Sequence, residues 1–477
     1  MKIVLATPPQ PEKGSYRAFY PQLGLLYLAS YAEKNCRIRD LTVDYVEGSL
    51  FHIDGFLDRI SRMNPDVIGL NIVSTNSSIA YKTINSLKEK LPNSLIVCGG
   101  PHPTACPIDV LQRSKTDVCI VGEGEITFQQ LLEAYERNTS YSNIAGIAIR
   151  RNGQVVQTPI RPLIADLDSI PFPAWEKINI RNYQGYFLQK AWPDVHIMTS
   201  RGCPFNCTFC ANAVWKLTKP WIRLRSPENV AKEVEYLVNK GVREIYDFSA
   251  EFNASEKWAI KVADKISDIQ PGIPFKTLLR ADKISERLAS SLSKMGCWLA
   301  SVGIESGNQE VLNGINKGIS INQVIRGLNL LKKYDIKVHG FFMIFNVWEE
   351  NGILRVETPE MCRKTLKFAR QLVSAGLLDH LSWATNSPLP GAKLFDIAMK
   401  YNLLDKSIAF SDFDFEDMPM TLPGISPRDI TRVKFEGMCL QVYSSFLHKG
   451  VNMKNRELLT RKVRTFIDYG LSYFLSR

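Results

Sequence analysis

Short apolar runs alternating with amphipathic stretches organise the first 137 residues. The runs are Ile3–Ala6, Leu41–Val46, Val67–Val73, Leu95–Cys98 and Val118–Val121, and between them apolar residues recur at helical spacing, as at Leu23, Leu26 and Ala29. Strands alternating with helices predict a doubly wound parallel sheet. Ligands of such sheets sit beyond the carboxyl ends of the strands. There the chain carries Thr7-Pro8-Pro9, Ser74-Thr75-Asn76, Gly99-Gly100-Pro101-His102 and Gly122-Glu123-Gly124-Glu125. Residues 146–157 read as a hairpin turning at Asn152-Gly153. The four prolines from Pro159 to Pro173 read as a linker.

The strand–helix alternation resumes at about residue 195. Candidate strands are Val195–Ser200, Glu244–Phe248, Phe275–Leu279, Leu299–Ile304, Val338–Ile344 and His380–Ala384. Six such units predict a partial (βα)6 barrel with its site at the strand carboxyl ends. Beyond Pro388-Leu389-Pro390-Gly391 the pattern is helical with loops. The expected organisation is an α/β chain: a Rossmann-like domain over 1–140, a hairpin and linker over 141–190, the barrel over 191–390 and a mostly helical region over 391–477.

A chain of 477 residues with 45% hydrophobic content can bury a sizeable core. It holds no apolar run of transmembrane length, and its first apolar run is too short for a secretory signal, so the expectation is a cytoplasmic protein. The net charge of +11 fits anionic cofactors or substrates, nucleic acid or an anionic membrane surface, beside the plain reading of a basic surface.

Seven of the ten cysteines are scattered and read as small buried hydrophobes. The other three lie in Thr199-Ser200-Arg201-Gly202-Cys203-Pro204-Phe205-Asn206-Cys207-Thr208-Phe209-Cys210, just after the first barrel strand. Three thiolates can hold three irons of one cubane cluster and leave the fourth open to bind a substrate by its amino and carboxylate groups. The alternatives are a zinc site and core cysteines. Zinc wants four ligands, and the nearest histidine, His196, sits on the preceding strand.

The Cx3CxΦC spacing, with Phe209 as the aromatic residue, resembles the radical S-adenosylmethionine (SAM) superfamily. The resemblance implies a [4Fe–4S] cluster on Cys203, Cys207 and Cys210. It implies reductive cleavage of SAM to a 5′-deoxyadenosyl radical, with Phe209 near the adenine. Arg280-Ala281-Asp282 and Val302-Gly303-Ile304-Glu305-Ser306-Gly307 match strand-end segments of that family and make Arg280, Glu305 and Ser306 SAM-binding candidates. Two segments depart from it. Ser249-Ala250-Glu251-Phe252 replaces an Asp-Asp-x-Phe pattern, leaving Glu251 or Asp247 to hold the SAM amino group. Phe345-Asn346-Val347-Trp348-Glu349-Glu350 replaces a Gly-x-Pro-Gly-Glu turn, and Phe345 and Trp348 read as pocket lining or as core.

The first domain resembles the cobalamin-binding domain that precedes many radical SAM barrels. The matching positions are Pro8-Pro9, Tyr20-Pro21-Gln22-Leu23-Gly24-Leu25, Gly99-Gly100-Pro101-His102 and Val121-Gly122-Glu123-Gly124-Glu125. Pro8, Leu23, Gly24, Ser74, Thr75, Gly99, Gly100, Pro101, His102, Gly122, Glu123 and Gly124 are thereby cobalamin-binding candidates. His102 reads equally well as a capping or surface residue. The Asp-x-His-x-x-Gly motif is absent, since Leu50 stands where His52-x-x-Gly55 would need an Asp, so no histidine is expected below the cobalt.

The resemblance implies a cobalamin-dependent radical SAM methyltransferase. It would methylate an unactivated carbon of a small molecule, lipid or natural product through a 5′-deoxyadenosyl radical and methylcobalamin. The reductant would be of the flavodoxin or ferredoxin kind. A radical SAM cyclase or carbon–carbon bond-forming enzyme of the same architecture is the alternative. Nucleic acid is disfavoured as a partner, because the first domain has no second cysteine triad and no RNA-binding appendage is evident. The last thirty residues combine Lys454, Arg456, Arg461 and Arg464 with Leu458, Phe466 and Leu471. That pattern fits a helix packed on the barrel or peripheral contact with an anionic membrane.

Overall fold

The computed structural model describes residues 1–9, 18–404, 410 and 419–447. The basic tail, with its expected membrane contact, lies outside them.

The first sheet is built from β1 (Lys2–Ala6), β2 (Thr42–Val46), β3 (Val67–Asn71), β4 (Leu95–Gly99), β5 (Val118–Ile120), β6 (Ile147–Arg151) and β7 (Gln154–Gln157), in the order β2-β1-β3-β4-β5-β6-β7. The first five are parallel. Alternation along β1 explains why both faces are buried. Val4 and Ala6 pack under helices Ile53–Met63 and Ser77–Lys90, while Ile3 and Leu5 pack under helices Leu23–Asn35 and Glu125–Glu136. The 146–157 hairpin joins this sheet as an antiparallel extension. Its Asn152 and Gly153 both have positive φ, as a type I′ turn requires.

The second sheet follows. Its strands are β8 (Asp194–Ile197), β11 (Glu244–Asp247), β12 (Phe275–Leu279), β13 (Cys297–Glu305), β14 (Lys337–Ile344) and β17 (His380–Thr385), all parallel, in the order β17-β14-β13-β12-β11-β8. Two ribbons were not anticipated. β9 (Ser200–Gly202) pairs antiparallel with β10 (Ile222–Leu224), so the expected strand Val195–Ser200 is split between two sheets. β15 (Val347–Glu350) pairs with β16 (Ile353–Val356), making a hairpin of the divergent segment after β14. Its Trp348 and the neighbouring Phe345 are buried in core clusters, which decides between their two readings in favour of core.

At the amino ends of the barrel strands, Lys276 Nζ lies 2.6 Å from Asp194 Oδ2 and 3.2 Å from Glu244 Oε1, all three fully buried. Tyr20 donates to Asp194 and Trp298 donates to Glu244. This plug closes the end opposite the strand carboxyl ends. Helix Leu23–Asn35 serves both units, with Leu25 and Ala29 in the first sheet's core and Leu23, Leu26 and Tyr27 in the barrel's. Among the described residues no helix is long and apolar enough to cross a membrane.

Candidate functional site

A cavity of about 550 Å³ lies where the carboxyl edge of the first sheet faces the barrel mouth. Gly24, Asn71, Gly99, Gly100, Pro101 and Gly122 line it on the sheet side, and Met198, Arg201, Gly202, Phe248, Ser249 and Leu278 on the barrel side. Gly100 has φ +104°, and a Cβ there would stand 2.8 Å from Asn71 Nδ2 and 3.0 Å from the Ile72 carbonyl oxygen. The turn after β4 can therefore pack against Asn71 and Ile72 only because position 100 has no side chain.

The cysteine loop leaves the ribbon at Gly202, whose φ is +83° and whose Cβ would fall 1.8 Å from the Trp221 carbonyl oxygen. The loop is pinned further along. Thr208 N donates to Ile315 O at 2.9 Å, Leu394 N donates to Thr208 O at 2.8 Å, and Asn316 Nδ2 donates to Asn206 O at 2.9 Å. Cys203, Cys207 and Cys210 are half-buried, and none forms a disulfide. Burial raises all three thiols, Cys210 to about 11. Each of Cys203 and Cys207 adds its charge to the field at Cys210, while Lys317 opposes it. Among the described residues no three His, Cys, Asp or Glu groups converge on one point, as a mononuclear metal would need. Three thiols carried on one loop at this spacing fit a cubane, whose irons are ligated separately.

Charged groups from three strand ends surround this loop. Glu251 is buried beside Cys203, accepts from Arg280 N at 3.0 Å, and is raised by burial to about 7. Glu305, last in β13 and at φ +64°, accepts from Lys317 Nζ at 2.7 Å, and both lie within electrostatic reach of Cys207. Lys317 was not foreseen, because no local pattern joins it to a partner twelve residues upstream. Arg280 does not present a clamp. Its guanidinium donates to Asp282 Oδ1 at 2.9 Å and Lys317 O at 2.7 Å, and it stacks 3.7 Å from the Phe205 ring centre. Ser306 is likewise turned inward, to Thr365 Oγ1 at 2.8 Å. Phe209 packs beside the cluster of Val311, Ile315, Met343 and Trp348. Asp247 is held by Thr199 and Ser249.

On the sheet side, Pro8, Leu23, Ser74, Thr75 and His102 do not line the cavity. His102 is fully buried between Ser74 Oγ at 3.1 Å and Tyr81 Oη at 2.7 Å, so it neither caps its helix nor lies at the surface. Thr75 is exposed and Leu23 is core. Glu123 lines the cavity, but its carboxylate is bound by two arginines missed in the sequence, Arg201 at 3.2 Å and Arg223 at 2.8 Å. Against the cost of burial, these arginines hold Glu123 below the usual carboxylate range.

Fold and site together define a radical SAM barrel behind a cobalamin-binding domain. Two family models match in that order, a B12 binding domain over residues 13–132 and the radical SAM superfamily over 197–354. An uncharacterized methyltransferase of Pyrococcus horikoshii is 31% identical over 408 residues, covering 85% of this chain and 84% of its own. An anaerobic magnesium-protoporphyrin IX monomethyl ester cyclase of Cereibacter sphaeroides is 27% identical over 467 residues, covering 94% of this chain and 71% of its own. The solved structure of the cobalamin-dependent SAM radical enzyme OxsB, with aqua-cobalamin and SAM bound, superposes with a TM-score of 0.71 at 17% identity, covering 100% of this chain and 72% of that one. The chain belongs to the family of radical SAM enzymes that carry a cobalamin-binding domain, and within it is similar to the methyltransferases. Its cofactors are a [4Fe–4S] cluster, SAM and cobalamin.

Proposed function

We propose that the protein transfers a methyl group to an unactivated carbon of a small-molecule, lipid or natural-product substrate. The observation that carries this reading is a cavity walled on one side by Gly99, Gly100 and Gly122 and on the other by the ribbon that begins the cysteine loop. In this reading Cys203, Cys207 and Cys210 hold the cluster, Glu251 and Glu305 receive the amino group and ribose of SAM, and Gly24, Gly99, Gly100, Pro101, Gly122 and Gly124 cradle cobalamin. When bound, SAM on the cluster supplies a carbon-centred radical and cobalamin carries the methyl group. The chain's own part is orientation and exclusion of water. Phe248, Met198 and Leu278 give the barrel side of the cavity an apolar lining. A glutamate near neutrality, such as Glu251, suits a group that must accept hydrogen bonds from an ammonium without an unpaired charge when the site is empty.

A second reading, ring closure or carbon–carbon bond formation, draws on the cyclase relative that spans 94% of this chain. The test incubates reconstituted enzyme with methyl-labelled SAM, reductant and a small-molecule extract. Methyl transfer predicts label in a new C-methyl product, with 5′-deoxyadenosine and S-adenosylhomocysteine formed in step. 5′-Deoxyadenosine alone, with an unlabelled product, would select the cyclase.

A further inference from the structure

Two largely buried arginines sit side by side on the ribbon that launches the cysteine loop. Arg201 on β9 pairs in register with Arg223 on β10. Both reach across to the Gly122-Glu123-Gly124-Glu125 segment of the first domain. Arg201 donates from Nη1 to Glu123 Oε1 at 3.2 Å and from Nη2 to Glu125 Oε1 at 2.5 Å. Arg223 Nη1 lies 2.8 Å from both oxygens of Glu123 and donates also to the Ile164 carbonyl at 2.8 Å. Ile164 N returns a hydrogen bond to Glu123 Oε2 at 2.8 Å. Arg201 lies over the Tyr27 ring, 5.2 Å from its centre, on the helix that packs against both units. The four charges sum to zero, and all are at least largely buried.

The lattice has a definite place in the chain. On one side Glu123 stands between Gly122 and Gly124 on the cavity wall. On the other, Arg201 is two residues before Cys203, and Gly202 between them pairs with Ile222 and leaves no room for a side chain beside Trp221 O. A shift of the Gly122–Glu125 segment must therefore either move Arg201 or leave a buried charge without its partner, which is strongly disfavoured.

Resting on the cofactor sites assigned above, we propose that Glu123 and Arg201 are positioning residues that link those sites. Occupation of the glycine-lined cavity orders the start of the cysteine loop, and a loaded loop tightens the cavity by the same factor, since such linkage is reciprocal.

The test titrates the full-length chain with hydroxocobalamin under anaerobic conditions, before and after cluster reconstitution with SAM. In the wild type the loaded loop is expected to tighten cobalamin binding by a factor in the range of about 5 to 150. Glu123→Gln and Arg201→Gln should each bring that factor close to one, the double variant should do no more than either, and Arg201→Lys should restore part of it. A wild-type factor of one, or variants that weaken binding equally in both states, would overturn the linkage. The second readout is the electron paramagnetic resonance spectrum of the reduced cluster without cobalamin. Glu123→Gln should change it although Glu123 ligates no iron, and an unchanged spectrum overturns the positioning role. Should Arg201→Gln not fold, the near-isosteric Glu123→Gln decides alone. Wild-type protein that holds no cobalamin in either state overturns both the functional reading and the linkage, and the spectrum then judges the positioning role separately.

Discussion

Cys203, Cys207 and Cys210 are half-buried on a loop tied down at Asn206 and Thr208. Replacing any one by Ala should drop reconstituted iron from about four per chain to well below that and abolish reductive SAM cleavage, read by iron analysis and 5′-deoxyadenosine formation. These cysteines were legible because their chemistry depends on local spacing. Lys317 was not, because its meaning comes from Glu305, which reaches it only when β13 and the following turn are folded. Lys317→Met leaves Glu305 buried and unpaired and should cost about 3–5 kcal/mol in urea unfolding. Adding Glu305→Gln should recover part of that. Arg280 and Ser306 were legible as candidates but not in their partners. Their types and positions matched SAM contacts, but Asp282 and Thr365 engage them.

Strands such as β3 and β4 were readable as elements because a strand buried on both faces must be apolar along its length. The ribbons were not, because Ser200–Gly202 is too short and polar to show a period. Gly202 carries the ribbon's geometry, so Gly202→Ala should separate β9 from β10, lowering both iron loading and the melting temperature. The β15–β16 hairpin is fastened differently. Glu357 accepts from Asn346 N at 2.9 Å and from Asn346 Nδ2 at 2.7 Å, and its own N–H donates to Asn346 O. Burial raises its carboxyl to about 7. A carboxyl raised above its unfolded value near 4.3 stabilises the fold fully below that value, and its contribution is lost as pH rises through about 7. Glu357→Gln should therefore flatten the fall in urea midpoint between about pH 5 and about pH 8 relative to the wild type.

At the scale of the molecule, the site is assembled from segments far apart in sequence, Gly24 on one helix, Gly100 and Gly122 after two strands of the first sheet, and Phe248 after a barrel strand. Fold class could be read from the order of strands and helices, but which strand ends share a cavity depends on how helix Leu23–Asn35 is shared between the two cores. That shared helix and the Glu123–Arg201 contact join the units, so residues of both line one cavity. Gly100→Ala should test the sheet-side wall by weakening cobalamin retention while leaving iron loading unchanged. The most direct measurement of the central claim is joint cobalt and iron analysis of the anaerobically reconstituted chain after gel filtration with hydroxocobalamin. The account predicts about one cobalt beside about four irons per chain. Four irons with no retained cobalt would contradict it, leaving a radical SAM enzyme whose first domain serves some purpose other than methyl carriage.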